Sequence, residues 1–287
     1  MILQKEIITL AAKHGVVKST IDKDWALGHF LDAIYSVGEI RENLIFKGGT
    51  CLRKCYIPDY RFSEDLDFTS NNQNFKLKES HLAEITSLLF QRVGMLTHIE
   101  SLKDLRYSDQ LVGYEAIVKF WGADHPRNET PPPPQRWQTK IKMEIILYES
   151  LLFDIQHNDL VHGYSDTLTE NAKRIPCYSI EEVLSEKMRA LVQRSYTAPR
   201  DLYDLWYLSR HYKDVDLKNL EKAFLKKMEF KGHTFSGINQ LLNPENDRPL
   251  KTAWKNSLGH QISGELPEYE SVKQVLKDWF YAFLVNE

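Results

Sequence analysis

A chain of 287 residues that is 42% hydrophobic and 27% charged has enough apolar surface for one large domain or two modest ones. Its formal charge of -3 excludes a uniformly basic protein of the histone or ribosomal kind. No apolar run approaches the roughly 20 residues that cross a bilayer, and the N-terminal MILQKEIITLAAKHG resembles a charged amphipathic helix, not a secretory signal, so a cytoplasmic protein with no membrane role is expected.

From Ile2 to about Ser36 the apolar residues recur at helical spacing, which predicts two helices, with Ser19 as a cap ahead of IDKDWALGHFLDAIY. NLIFKGG is a short apolar strand or helix end broken by glycines, and TCLRKCY is the next helix. After the Pro58 turn, DLDFT is a strand in which Leu66 and Phe68 alternate with acidic positions. A polar loop over residues 71–78 leads to the amphipathic helix ESHLAEITSLLFQRVGM. Two long strands follow, LVGYEAIVKFWG and RWQTKIKMEIIL, joined by a loop containing PPPP, which cannot sit in a sheet. That loop is a stiff exposed connection, or alternatively a docking segment for a proline-binding partner.

After Leu147 the pattern turns almost wholly helical: YSIEEVLSEKMRALVQR, PRDLYDLWYLSRHY, LKNLEKAFLKKMEF and a last helix around ESVKQVLKDWFYAFL. The order predicts an α+β fold, with an N-terminal domain over residues 1–170 whose mixed sheet is flanked by helices, and a helical domain over 171–287. The functional site is expected in the cleft between them. The three cysteines, Cys51, Cys55 and Cys177, lack zinc-ligand spacing and are expected to be reduced core thiols.

The chemistry concentrates in KGGTCLRKCYIPDYRFSEDLDF. On a strand, residues i and i+2 share a face, so Asp65 and Asp67 reach toward a common point, and their repulsion calls for a cation. A hard divalent ion such as Mg²⁺ suits one or two carboxylates; a solvated edge strand is the plainer explanation of D-x-D alone. Gly48 and Gly49 let backbone amides approach a ligand, and Thr50 opens a helix whose N-terminus favours anions. Phosphate turn, helix, short loop and acidic strand, in that order, outline a nucleoside triphosphate site. Two metal ions need a third carboxylate. In TKIKMEII, Ile141, Met143 and Ile145 form one face while Lys140, Lys142 and Glu144 form the other, so Glu144 is the candidate unless it simply faces solvent.

In the helical half, Lys187 lies beside the apolar stripe of its helix, where it either snorkels or aims its ammonium at a triphosphate. Asp201 and Asp204 stand one turn apart after Pro199, and Asp201 is also well placed to stabilise a helix start. Between Lys173 and Lys231, Lys and Arg outnumber Asp and Glu by 13 to 9, which allows a basic binding surface or merely solvated helix faces.

FKGGT, RFSEDLDF, EVLSEKMRALVQR and RDLYDLW together resemble the nucleotidyltransferase toxins of the AbiEii/AbiGii type, within the DNA polymerase beta-like superfamily. The resemblance spans roughly residues 25 to 210. It implies that Gly48, Gly49 and Thr50 bind nucleotide phosphates, that Asp65 and Asp67 bind metal, that Lys187 contacts nucleotide phosphates and that Asp201 is needed for activity. Glu144 stands where many members have Asp. The implied reaction is two-metal, Mg²⁺-dependent transfer of NMP from an NTP, with a tRNA 3′ end as acceptor and a cognate antitoxin as partner. Transfer to a protein hydroxyl or small molecule, or NTP sensing without turnover, are the competing readings. Ser63, two residues before Asp65, is expected at the edge of the nucleotide site, either as a turn-capping hydroxyl or as a position where phosphorylation would repel NTP.

Overall fold

Seven strands form one mixed sheet in the order β3 (Leu96–Tyr107), β4 (Gln110–Trp121), β5 (Lys140–Ile146), β2 (Leu66–Ser70), β1 (Leu44–Lys47), β7 (Ile175–Cys177) and β6 (Gln156–Asn158). The computed structural model describes residues 1–194 and 198–284; residues 195–197, in the short loop expected ahead of Pro199, and residues 285–287 lie outside the described residues. Strand β2 runs antiparallel to β1 and parallel to β5, while β1 runs parallel to β7. The architecture is the α+β fold expected. The chain divides into two units, Met1–Glu149 with Ile155–Cys177, and Ser150–Asp154 with Tyr178–Glu287.

In the first unit, α1 (Gln4–His14), α2 (Lys18–Ile34) and α5 (Glu79–Val93) contribute Ile7, Trp25, Phe30, Leu31, Leu82 and Ile85 to one buried apolar cluster. The strands supply Phe46, Phe68, Ala116, Val118, Met143 and Ile145 to the same cluster. Alternation then fixes the opposite face. Lys47, Asp67, Glu144 and Glu115 are register partners across β1, β2, β5 and β4, and they form a row of charged residues. The period of two in KIKMEII appears as an alternation of buried and half-buried residues.

Helix α2 is buried along most of its length and carries acidic residues into the core, each with partners. Asp24 accepts from Arg53 Nε at 2.6 Å, Lys54 Nζ at 2.9 Å and the Tyr164 hydroxyl at 2.8 Å. Burial alone would raise this carboxyl, but Lys54 and Arg53 hold it well below the usual carboxylate range. Asp32 accepts from Thr169 and pairs with Arg92. Asp166, beyond the helix, accepts from Trp25 Nε1 and meets His29 and His162.

The structure differs from expectation at several points. Helix α2 starts at Lys18 behind an extended Val17, so Ser19 lies inside the first turn and caps nothing. Strand β3 escapes the alternation rule because register shifts at Ile99/Ser101 and Leu105/Arg106 break its period. After Leu147 the chain is not almost wholly helical, since β6 and β7 return to the sheet. Their three-residue length is too short to show a period.

The second unit is helical: α6 (Ile180–Gln193), α7 (Pro199–His211), α8 (Leu217–Phe230), α9 (Asp247–Leu258) and α10 (Tyr269–Tyr281). Only α9, with Pro249 in its first turn, was outside the predicted set. Ser179 caps α6 by accepting from Glu182 N at 3.1 Å. Glu182 and Lys227 form a fully buried ion pair between α6 and α8. Its remaining valences are met by Ser150–Asp154: Lys227 Nζ donates to Ser150 O at 2.7 Å, and Leu152 N and Phe153 N donate to Glu182 Oε2 at 2.9 Å. No helix among the described residues is long and apolar enough to cross a membrane.

Candidate active site

Strand β1 ends at Lys47, and the chain turns at Gly48 with φ +82° into α4 (Gly48–Cys51), which continues as a π-helical turn over Leu52–Tyr56. Two constraints fix the glycines. A Cβ on Gly48 would stand 2.5 Å from Asp67 Oδ2, and one on Gly49 would stand 2.7 Å from Arg61 Nη2 and 3.1 Å from Ser63 Oγ. The Asp67 carboxylate therefore sits on the backbone of the turn, and the Arg61 and Ser63 side chains lie against its next residue. The left-handed φ at Gly48 disfavours any other residue there.

The helix begins at Gly48, two residues before the expected Thr50. Thr50 is buried, and its hydroxyl donates to Asp65 O at 2.5 Å. That bond ties the turn to the start of β2 and holds Asp65, just outside the strand, next to Asp67. Pairing then brings Glu144 beside Asp67, since the two are register partners in parallel strands. Burial pushes the Asp67 carboxyl up to about 6; Lys47 opposes the rise, and Glu144 and Asp65 add to it. Lys142 Nζ lies 3.3 Å from Glu144 Oε2. Burial would lower this ammonium, but the charges of Glu144, Asp65 and Asp67 keep it above its ordinary value.

The first unit thus brings together Gly48, Gly49, Thr50, Ser63, Asp65, Asp67 and Glu144. It also adds Lys47, Arg61 and Glu115, which sequence reasoning did not single out. The signal for Glu115 lay in VGYEAIVKF, where Tyr114, Ala116 and Val118 are buried and Glu115 takes the other face. Lys47 and Arg61 lie within FKGGT and RFSEDLDF, and their place at the site shows only through register and side-chain position.

In the second unit, Lys187 Nζ lies 2.9 Å from Asp201 Oδ1 and 2.7 Å from Asp204 Oδ2. Arg194 also donates to Asp201 Oδ2. Asp204 is fully buried and Lys187 and Asp201 nearly so. The helix-start explanation for Asp201 is incomplete, because its carboxylate is anchored by two cations.

A left-handed glycine turn closing a strand, with carboxylates from neighbouring strands gathered over it on a mixed sheet, defines a nucleotidyltransferase core. A family model described as "Nucleotidyl transferase AbiEii toxin, Type IV TA system" matches residues 29–278. The chain belongs to that family, and is a nucleotidyltransferase toxin of a type IV toxin–antitoxin system. Membership implies an NTP as substrate and an antitoxin as counterpart. The match runs well past residue 210, so the C-terminal helices are part of the family's pattern although no motif in them stands out.

Among solved structures, the chain is similar to MenT4, a nucleotidyltransferase toxin from Mycobacterium tuberculosis H37Rv. The TM-score is 0.69 at 18% identity, covering 99% of this chain and 90% of that one. It is also similar to JHP933 from Helicobacter pylori, with TM-score 0.50 at 17% identity, covering 91% and 90%. At these identities the likeness concerns the fold. No curated protein matches the sequence significantly.

Proposed function

We propose that the protein transfers a nucleoside monophosphate from an NTP to the 3′ hydroxyl of an RNA, a tRNA end in particular. The new bond joins the acceptor oxygen to the α-phosphorus, the α–β phosphoanhydride breaks, and pyrophosphate leaves. The observation that carries this reading is the Asp67 carboxylate, seated on the left-handed turn at Gly48 with Glu144 as its register partner.

The donor set fits a hard divalent cation such as Mg²⁺. All its atoms are oxygens, and Asp65 and Glu144 stand close enough to Asp67 for their charges to add to the rise that burial imposes on its carboxyl. Asp65 and Asp67 would hold the ion, with Glu144 completing a two-metal set. Bound there, Mg²⁺ lowers the pKa of the acceptor hydroxyl and offsets charge on the α-phosphate and departing pyrophosphate.

The chain's own groups do the rest. Gly48 and Gly49 admit phosphate oxygens to the backbone, Ser63 and Arg61 line the turn beside them, and Thr50 keeps the turn registered on Asp65. Lys187 serves the same reaction by contributing positive charge toward the nucleotide phosphates. Its position is set by Asp201 and Asp204. Asp201 is therefore a positioning residue in this reading. A tRNA acceptor also accounts for a cytoplasmic location, and the basic helices after Lys173 are then backbone contacts whose affinity falls with salt.

The test is to incubate the protein with Mg²⁺, each α-labelled NTP in turn, and total RNA or a protein extract. Label in the tRNA fraction that vanishes in Asp65→Ala supports the reading. Label confined to protein moves the acceptor to a protein hydroxyl, and nucleotide binding with no transfer to any acceptor makes the chain a sensor.

A further inference from the structure

The three cysteines, unremarkable by spacing, converge in the fold. Cys51 lies on α4, Cys55 on the π-helical turn that continues it and Cys177 on β7, and all three are buried and free. Their sulfurs lie within 4.8 Å of one another. Three atoms so placed share a centre no more than about 2.8 Å from each, against a metal–sulfur distance of about 2.3 Å for zinc. A shift of about half an ångström per sulfur would close the gap. The Tyr56 hydroxyl stands 3.7 Å from Cys177 Sγ and offers an oxygen at the edge of the trio.

We infer that Cys51, Cys55 and Cys177 form a three-thiolate site for a thiophilic metal ion, of the Zn²⁺ or Cd²⁺ class. The ion replaces the protons of the thiols with three metal–sulfur bonds, and the protons pass to solvent without any change of oxidation state. Soft sulfur donors select against Mg²⁺, so this site and the carboxylate cluster take different ions. Burial raises the Cys51 and Cys55 thiols, whereas hydrogen bonds from those two hold the Cys177 sulfur low. Cys55, 7% exposed against 0% for the other two, is the point of entry.

The site lies under the phosphate turn. Cys51 directly follows Thr50, and Cys177 pairs with Phe46, one residue before Lys47. An ion drawing the sulfurs inward pulls on both chain segments that flank Gly48 and Gly49.

Full-length protein, kept reduced with a phosphine and in excess Mg²⁺ to occupy oxygen sites, is titrated with Cd²⁺ while the ultraviolet sulfur-to-cadmium charge-transfer band is recorded. The expected result is a band that saturates at one Cd²⁺ per chain and loses roughly a third or more of its intensity in each of Cys51→Ala, Cys55→Ala and Cys177→Ala. Cadmium NMR of the wild type counts sulfur ligands without a variant, should an alanine substitution unfold the chain, and a three-sulfur resonance is expected. A wild type without a saturable band, a resonance of two sulfurs or fewer, or a full-strength band in any folded variant overturns the site.

Discussion

Asp67 illustrates how one residue works against the fold that holds it. Its carboxyl is raised to about 6 by burial, so its charged form costs folding energy that an oxygen-neutral residue would not. Asp67→Asn is expected to lower transfer about 10³-fold, roughly 4 kcal/mol of transition-state stabilisation, while raising the melting temperature. A melting temperature that falls with activity would show the carboxylate to be a structural element instead. Ser63→Asp brings a further negative charge to within reach of Gly49 and should weaken NTP binding at least about tenfold, in line with like-charge repulsion; unchanged KM for NTP in that variant removes Ser63 from the nucleotide site. Asp22 gives the pH signature. Burial raises its carboxyl to about 7, the Ala123 amide working against the rise. A carboxyl that holds its proton more tightly when folded contributes stability that is complete below about pH 4 and is lost as pH rises through 7, on the order of 4 kcal/mol in all. Asp22→Asn should match the wild type in melting temperature at pH 4 and exceed it at pH 8; a deficit at both pH values would refute that account.

At the scale of the element, the pair α6 and α7 is tied by Lys187, which meets Asp201 and Asp204 at 2.9 and 2.7 Å. Lys187→Ala leaves two buried carboxylates without that cation and should cost about 3–5 kcal/mol in urea denaturation. A lysine that touched only phosphate would lose activity with stability unchanged, so the two measurements separate its roles. The elements that carry the site were readable because their logic is local: glycines, a short loop and D-x-D lie within a few residues, and the alternation of KIKMEII places Glu144 without tertiary knowledge. What escaped was non-local. The bulges of β3 erase its period, Glu115 gains meaning only through its register with Glu144, and the pairing of Asp204 with Lys187 declares itself only once α7 packs beside α6. The cysteines failed for the same reason, because spacing rules describe ligands contributed by one segment and Cys177 arrives from a distant strand.

At the scale of the molecule, the chain does not divide at one point. It leaves the first unit after Glu149, lends Ser150–Asp154 to the second, and returns at Ile155 to add β6 and β7 to the sheet. A fragment starting at residue 178 therefore deprives Lys227 of the Ser150 carbonyl and Glu182 of two amide donors. It should melt well below the same helices in the intact chain, each orphaned buried group costing about 1–3 kcal/mol. The parallel pairing of β7 with β1 also has a meaning for synthesis on the ribosome. The strand that leads into the phosphate turn has its last neighbour delivered only when Cys177 emerges, which at cellular rates of elongation is roughly 6 to 26 seconds after Lys47. Until then the strand that leads into Gly48 has β2 as its neighbour on one side and an open edge on the other.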